Sequence, residues 1–182
     1  QIDAYLAEAN TVVGAMPVDG IEVIWDDRQS NLASLRTRGV DFGGSYSFDT
    51  SWGDFNVFAQ ASLMLQYTVQ TGPASTPIDA LDTLFYPVDL RARAGVSWNN
   101  EGWGAGLTAI YVDDYRDNIS TPARDVDEWL TWDAQVSYDW SGETERAGPQ
   151  ITLNVQNLFD EDPPFTNNPV GYAFDAQAHS PL

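Results

Sequence analysis

The chain has 182 residues, of which 27 are acidic and eight are basic, and its formal net charge is −19. All eight basic residues are arginine, cysteine is absent and histidine occurs once. This charge balance repels phosphate backbones and excludes nucleic acid as a partner. The missing thiols exclude disulfides and zinc–thiolate sites, and one histidine leaves no multi-histidine metal site. We expect neither a metal nor another cofactor.

The length suits one domain or one part of a larger protein, at about 100–200 residues per domain. No apolar run approaches the roughly 18 residues of a membrane-spanning helix. Residue 1 is glutamine, and no signal-like apolar segment follows it. The sequence therefore predicts a mature or excised segment of a longer protein.

Strict alternation of apolar and polar side chains, the pattern of β-strands, is clearest in residues 54–70. That segment is much longer than the usual strand of about 5–6 residues. The six predicted strands are residues 36–48, 54–70, 88–98, 103–115, 129–140 and 150–158, with a strand end at 1–7 and an extended piece at 21–25. Alternation is weakest in 103–115, because Ile110 and Val112 fall on its polar side.

The connections between the predicted strands alternate in length. Those at 49–53 and 99–102 are short, whereas those at 71–87, 116–128 and 159–182 are long. Short turns at one end and long loops at the other describe an up-and-down antiparallel sheet, as in outer-membrane β-barrels. A strand of about 12 residues tilted by about 45° crosses roughly 28 Å, which matches a hydrocarbon core of about 30 Å.

Aromatic residues gather at both ends of the predicted strands, as amphipathic rings do at two membrane interfaces. A general preference of aromatic residues for strands is the alternative explanation. The rings near the short turns are Phe48, Trp52, Phe55, Trp98, Trp103, Tyr138 and Trp140, and those near the long loops are Tyr67, Tyr111, Tyr115, Trp129 and Trp132.

Short motifs over residues 34–165 resemble, in the same order, those of TonB-dependent outer-membrane receptors. They are Arg-Gly-Val-Asp-Phe at 38–42, Pro-Val-Asp-Leu-Arg at 87–91 with Trp98 after it, Tyr-Val-Asp-Asp-Tyr at 111–115, Trp-Asp-Ala-Gln-Val-Ser-Tyr at 132–138 and Asn-Leu-Phe-Asp-Glu-Asp-Pro-Pro-Phe at 157–165. The last of these resembles the segment that precedes the final strand of the family's barrel.

The resemblance implies an all-β fold: an antiparallel up-and-down transmembrane β-barrel segment, with about six to seven strands of a 22-stranded barrel. It implies a protein of the bacterial outer membrane that takes up a scarce ligand, such as a siderophore, cobalamin or an oligosaccharide, and that is not an enzyme. The implied partners are outer-membrane lipid, the protein's own plug domain, TonB and a small-molecule ligand. Residues 1–182 are then the C-terminal barrel segment, without the plug, most of the barrel and the final strand.

Two sets of residues are candidates for binding. Loops on a rigid scaffold usually carry binding residues, and here the candidates are Asp79, Asp82, Tyr86, Asp117, Arg124, Asp125 and Asp127. On the strands, the polar side that the resemblance assigns to the barrel lumen carries Asp89, Arg91, Arg93, Asp133 and Gln135. These side chains either contact the plug and line the ligand path or pair across neighbouring strands.

Catalytic and calcium-binding patterns are weak. The adjacent His179 and Ser180 do not face each other as a nucleophile and base must, and there is no Gly-x-Ser-x-Gly elbow. Carboxylate clusters occur at 26–27, 113–114 and 160–162, but none has EF-hand spacing, so we interpret them as solvated loop acids.

Two other architectures remain open at this point. A complete small outer-membrane barrel needs an even, closed set of strands, and six clear strands followed by a long loop argue against it. A secreted β-sandwich that binds carbohydrate suits an acidic, tryptophan-rich chain without cysteine, although its strands are nearer 5–6 residues.

Overall fold

The structure is a computed structural model that describes residues 34–72, 75–140, 148–167 and 173–179. The predicted pieces at 1–7 and 21–25 lie outside the described residues. The strands are β1 (Ser34–Thr50), β2 (Gly53–Gln70), β3 (Ile78–Asp79), β4 (Leu90–Asn100), β5 (Trp103–Val112), β6 (Tyr115–Asp117), β7 (Arg124–Val126), β8 (Trp129–Asp139) and β9 (Gln150–Val155). Among the described residues, no helix has the length and hydropathy of a membrane span.

Six strands, of which β9 is the shortest with six residues, form one antiparallel sheet in the order β1–β2–β4–β5–β8–β9. The two-residue β3 adds to the end of β2, and β6 with β7 forms a separate hairpin. Successive members of these six are therefore neighbours, which confirms the predicted all-β, up-and-down architecture. Within the described residues no second sheet of comparable size faces this one, and β1 does not pair with β9, so neither a sandwich nor a small closed barrel describes it.

The register brings the apolar sides of all six strands onto one face. Phe55 lies opposite Trp98 and Leu63 opposite Leu90, and directly opposed residues point to the same side of a sheet. The pairings of all six strands place every charged residue of these strands on the other face. These residues are Arg36, Arg38, Asp41, Asp49, Asp54, Arg91, Arg93, Asp133 and Asp139. We call the two sides the apolar face and the polar face.

A shift of register between Arg38 and Gly39 keeps β1 in phase with β2. Before it, Leu35 and Thr37 lie opposite apolar-face residues of β2, and after it Val40 and Phe42 do so. A Cβ atom at Gly39 would lie 2.9 Å from the carbonyl oxygen of Leu63. The glycine therefore permits the close backbone approach at this bulge.

The turn between β4 and β5 has only two residues, and both have positive φ. The angle is 47° at Glu101 and 85° at Gly102, as a type I′ hairpin turn requires. A Cβ atom at Gly102 would lie 2.6 Å from the carbonyl oxygen of Asp139. This geometry joins the strands tightly and matches the short connection predicted at 99–102.

Aromatic rings form a row along the short-turn end of the sheet. Phe48 and Phe55 stack with centroids 5.4 Å apart, and Tyr138 lies 4.7 Å from Trp103 and 4.6 Å from Trp140. The indole nitrogen of Trp98 donates to the carbonyl oxygen of Trp52 across the turns, at 2.7 Å. These contacts place the predicted aromatic residues of this end side by side.

The buried apolar cluster of the described residues lies at the opposite, long-loop end. It consists of Leu84, Val88, Val112, Tyr115, Val126, Trp129 and Ala178, and we call it the rim core. Val112 belongs to it because loops cover the polar face there, which explains the weak alternation of the predicted strand 103–115. Tyr115 and Trp129, which the sequence placed in a belt of interfacial rings, are instead buried in this core.

Three strand ends differ from the predicted ones for related reasons. Val88 is buried in the rim core, so β4 begins only at Leu90. The segment 103–115 divides at Asp113 and Asp114, where the chain leaves the sheet to enter the β6–β7 hairpin. The last predicted strand stops at Val155 because the chain turns there onto the polar face.

Phe58 breaks the polar pattern of β2 because it covers a glycine. It lies directly opposite Gly95 on the polar face, and a Cβ atom at Gly95 would lie 2.7 Å from the Phe58 ring and 2.8 Å from the carbonyl oxygen of Leu107. The guanidinium carbon of Arg93 lies 5.4 Å from the ring centroid on the same face. An aromatic ring over a strand glycine fixes the local register.

Gly95→Ala should destabilise the sheet, because both the ring and a backbone oxygen must move to admit one methyl group. Overpacking of this kind costs about 1–3 kcal/mol. The control is Gly106→Ala in β5, where the nearest atom to a new Cβ lies at 3.8 Å. Urea unfolding in detergent, followed by tryptophan fluorescence, should show a lower midpoint for Gly95→Ala alone. Equal midpoints for the two variants would contradict the proposed close packing.

Candidate functional site

Four segments fold together at the long-loop end: residues 80–88, the β6–β7 hairpin, residues 157–166 and the turn 173–179. The amide of Leu84 donates to the carbonyl oxygen of Arg116, and the amide of Arg116 donates to that of Asp82. The amide of Thr166 donates to the carbonyl oxygen of Ala173 at 2.8 Å. These main-chain bonds join the segments into one layer above the strands, and we call this layer the rim.

Asp117 holds the β6–β7 hairpin and is fully buried. Its carboxylate accepts hydrogen bonds from the amides of Ile119 and Ser120 and from the Ser120 hydroxyl, and Arg124 Nε lies 3.7 Å away. Burial by itself raises the pKa of Asp117, but the hydrogen bonds from Ser120 and Ile119 outweigh it, so the pKa lies below its usual value. This predicted binding residue therefore has its oxygens engaged within the hairpin.

The other predicted residues of this hairpin are more accessible. Asp125 is exposed and pairs with Arg116 at 2.6 Å, and Asp127 is also exposed. Arg124 donates to the carbonyl oxygen of Phe165 at 3.0 Å, and its guanidinium lies 4.6 Å from the Phe165 ring centroid. Arg124 thereby ties the hairpin to the segment 157–166.

The remaining loop candidates are Asp79, at the end of β3, and two residues of the segment that follows it. Tyr86 is exposed and its ring lies 5.8 Å from that of Tyr67, while Asp79 accepts a hydrogen bond from the amide of Leu81. Asp82 accepts one from the amide of Asp89. Tyr86 and Asp79 are exposed, whereas Asp82 is half-buried.

The carboxylates of Asp82, Asp89 and Asp113 approach one another beside β4. Burial, together with the charges of Asp82 and Asp113, raises the pKa of Asp89 to about 6. Asp89 lies one residue before β4, and its carbonyl oxygen accepts a hydrogen bond from the amide of Met64 in β2 at 2.6 Å. In the described part of the chain, no group of three or more His, Cys, Asp or Glu residues is arranged to hold a metal ion.

A pocket of about 560 Å³ lies on the polar face just below the rim. It brings together Arg91 and Asp133, both predicted to line the lumen, with the carboxylates at 160–162 that were predicted to be solvated loop acids and with Gln177 and Ala178 of the turn 173–179. The lining includes Arg91, Trp129, Asp133, Asn157, Glu161 and Gln177. A second concavity of about 570 Å³ adjoins it toward β1 and shares Arg91, so the polar face offers a continuous groove at this level.

Asp133 shapes one wall of the rim pocket by capping the turn after β9. Its carboxylate accepts a hydrogen bond from the amide of Asn157 at 2.9 Å. The Asn157 side chain then bonds the amide and the carbonyl oxygen of Glu161, at 2.9 and 3.0 Å, with a φ of 48°. The motif at 157–165 is thereby folded onto the polar face instead of continuing the strand.

The other predicted polar-face residues occupy the strand wall. Arg91 Nη2 donates to the carbonyl oxygen of Gln177 at 3.0 Å, and Arg93 covers Phe58. Gln135 is exposed between Gly106 and Asn154. All three side chains share the face that carries the rim pocket.

Sequence reasoning considered His179 only as a weak catalytic candidate and missed the other residues of the turn 173–179. Asp175 accepts hydrogen bonds from the amides of Phe85 and Gln177, both at 2.9 Å, and His179 is buried between two aromatic rings. The turn has no periodicity, and its partners in β6, in β8 and at Phe85 are distant in sequence, so local patterns carry no sign of it.

A family model described as "TonB dependent receptor-like, beta-barrel" matches residues 2–158. The chain belongs to this family. No curated protein and no solved structure matches it. Membership places the protein in the outer membrane of Gram-negative bacteria as a receptor or transporter, in a family that is not enzymatic. The match begins at residue 2, well before the motifs that carried the resemblance.

Membership also predicts the environment of the two faces of the sheet. In such barrels strands alternate between lipid and lumen, so we expect the apolar face to contact the hydrocarbon and the polar face to line the lumen. A charge on the lipid face near mid-bilayer costs about 2–4 kcal/mol. The placement of all nine strand charges on the polar face agrees with that cost.

Leu107→Arg should impair folding of the full-length receptor into lipid by about 2–4 kcal/mol, whereas Thr108→Arg should be nearly neutral. The two residues are adjacent in the middle of β5 and differ in the face they occupy. Arginine at 108 would lie opposite Asp133 on the polar face. Folding yield in vesicles measures the difference, and equal yields would show that the faces are wrongly assigned.

Asp117→Asn should loosen the hairpin by about 1–3 kcal/mol, because it removes a buried charge that accepts three hydrogen bonds. Hydrogen exchange at the amides of Ile119 and Ser120 should quicken. Asp125→Asn, which breaks only an exposed ion pair, is the control and should change little.

The same carboxylate gives the hairpin a pH dependence. Because the pKa of Asp117 is lower folded than unfolded, its contribution is complete above about pH 4 and is lost as the pH falls through the folded value. Protection of the amides of Ile119 and Ser120 in the unsubstituted receptor should therefore persist at pH 4 and decline only in stronger acid. Loss of protection already at pH 5 would contradict the lowered pKa.

Proposed function

We propose that residues 1–182 form the C-terminal part of the barrel of a receptor that takes up a scarce small molecule with energy supplied through TonB. In this proposal the ligand is captured on the extracellular side, and the plug domain of the full-length protein closes the lumen. The main support for this proposal is the rim pocket, which lies on the polar face at the level where the long loops meet the strands.

The charges around the rim pocket favour a neutral, hydroxyl-rich ligand of the oligosaccharide class. Among the described residues, Asp133, Asp160, Glu161 and Asp162 line it against a single guanidinium, that of Arg91. Carboxylates and the amides of Gln156, Asn157 and Gln177 can bond hydroxyl groups, whereas an anionic ligand would meet a repulsive field. This composition supports a sugar over an anionic ferric siderophore.

Filling the rim pocket tests its role directly. Gln156→Trp in the full-length receptor should weaken ligand binding by about tenfold or more, equivalent to about 1.4 kcal/mol, because the new ring occupies the space of the ligand. The control is Val155→Trp, whose side chain points to the opposite face of the sheet. Calorimetry with neutral oligosaccharides and with anionic siderophores identifies the ligand class.

Energy coupling needs a separate measurement. Uptake by cells that lack TonB should stop, while surface binding of the same ligand persists. Ligand binding that is unaffected by Gln156→Trp would contradict the proposal that the rim pocket binds the ligand. Uptake that continues without TonB would contradict the proposal that TonB supplies the energy.

A further inference from the structure

We propose that the turn 173–179 is a proton-operated latch, which covers one side of the rim pocket while His179 is neutral and detaches when His179 is protonated. Gln177 and Ala178 of this turn line the pocket, so detachment would widen access to it. The link to ligand entry rests on the proposed function, but the latch itself does not.

His179 has an environment that suits only a neutral imidazole. It has no exposed surface, and its ring stacks on Tyr115 with centroids 5.5 Å apart and meets the edge of Trp129 at 5.3 Å. Neither ring nitrogen has a hydrogen-bond partner among the described residues. Protonation would therefore bury a charge and two unmet donors, at a cost that favours exposure of the ring.

The groups that face His179 do not relieve this cost. Asp175, on the turn itself, is the anion that favours protonation, but its two oxygens already accept hydrogen bonds from the amides of Phe85 and Gln177. Arg91, on β4, adds a like charge. The Tyr115 hydroxyl of β6 has no hydrogen-bond partner among the described residues, and Asp117 of the same hairpin is engaged by Ser120 and Ile119.

The electrostatic balance sets the direction of the response. Burial lowers the pKa of His179, Asp175 opposes this shift and Arg91 adds to it. An exposed histidine has a pKa of about 6.5, and the pKa of His179 in the closed state is lower. Closure is therefore fully stable above about pH 6.5, and its stability is lost as the pH falls through the pKa of the closed state. Acid therefore opens the latch.

Among the described residues, few contacts hold the turn in place, so it can detach as a unit. Beyond the His179 ring contacts and the packing of Ala178 in the rim core, they are the Asp175 bond to Phe85, the Arg91 bond to Gln177 and the Ala173 bond to Thr166. None belongs to the six-stranded sheet's own ladder. Detachment therefore leaves the sheet and the hydrogen bonds of the β6–β7 hairpin intact.

A spin label on the turn distinguishes the closed latch from the detached one without any ligand. A failure of the proposed function therefore does not affect the result. Ala176 is exposed on the turn, and the label is attached at Ala176→Cys in the full-length receptor in lipid. The label should be immobile at about pH 8. The ratio of mobile to immobile label should rise by up to about tenfold per pH unit as the pH falls from about 6.5 toward the lowered pKa of the closed state, and level off below that pKa. A label at Asp127→Cys on the neighbouring loop should not respond.

Two variants assign the response to His179. His179→Phe keeps an aromatic ring between Tyr115 and Trp129 but cannot be protonated, so the label should stay immobile at about pH 5. In His179→Ala the label should be mobile at every pH tested.

Asp89 also titrates near pH 6 and is retained in His179→Phe. A pH response that survives in His179→Phe, or a label that remains immobile in the unsubstituted receptor until the protein unfolds, would overturn the latch.

Discussion

The lateral register of the six strands is the constraint on which the rest of the molecule depends. Side chains alternate between faces, so a slip of one residue would exchange the whole set of one face for the other. In a membrane that exchange would move charges such as Arg91 and Arg93 into hydrocarbon. The bulge at Gly39, the two-residue turn at Gly102 and the Phe58–Gly95 pair each fix this register locally.

The rim core is buried on the polar face of the sheet, although most apolar side chains of the strands lie on the other face. Toward the long loops the polar face is covered by protein, and the residues beneath the cover become apolar, as Val112 and Trp129 do. Asp133 contributes by capping the turn at Asn157. The pocket lies in the angle between this turn and the strand wall, so the same fold that buries the rim core creates the proposed binding surface.

Acidic residues at the rim have different physical roles despite their common charge. Asp117 and Asp175 are buried and bond main-chain amides, whereas Asp160 and Asp162 line the pocket. Asp89 shares a crowded corner with Asp82 and Asp113, which raises its pKa. Of these, only Asp160 and Asp162 line the rim pocket, and the ligand proposal rests on them together with Asp133 and Glu161.

The sequence by itself determined the all-β class, the six strands, the two faces and the family, because each depends on local alternation or on short motifs. It also placed Arg91, Arg93, Asp133 and Gln135 on the polar face. Tertiary structure decided the rest. Asp117 became a buried anchor, Tyr115 and Trp129 entered the rim core, and His179 was buried beside them, because these outcomes depend on contacts between segments distant in the chain. Alternation records which side of a strand is apolar, but it carries no information about which loop covers that side.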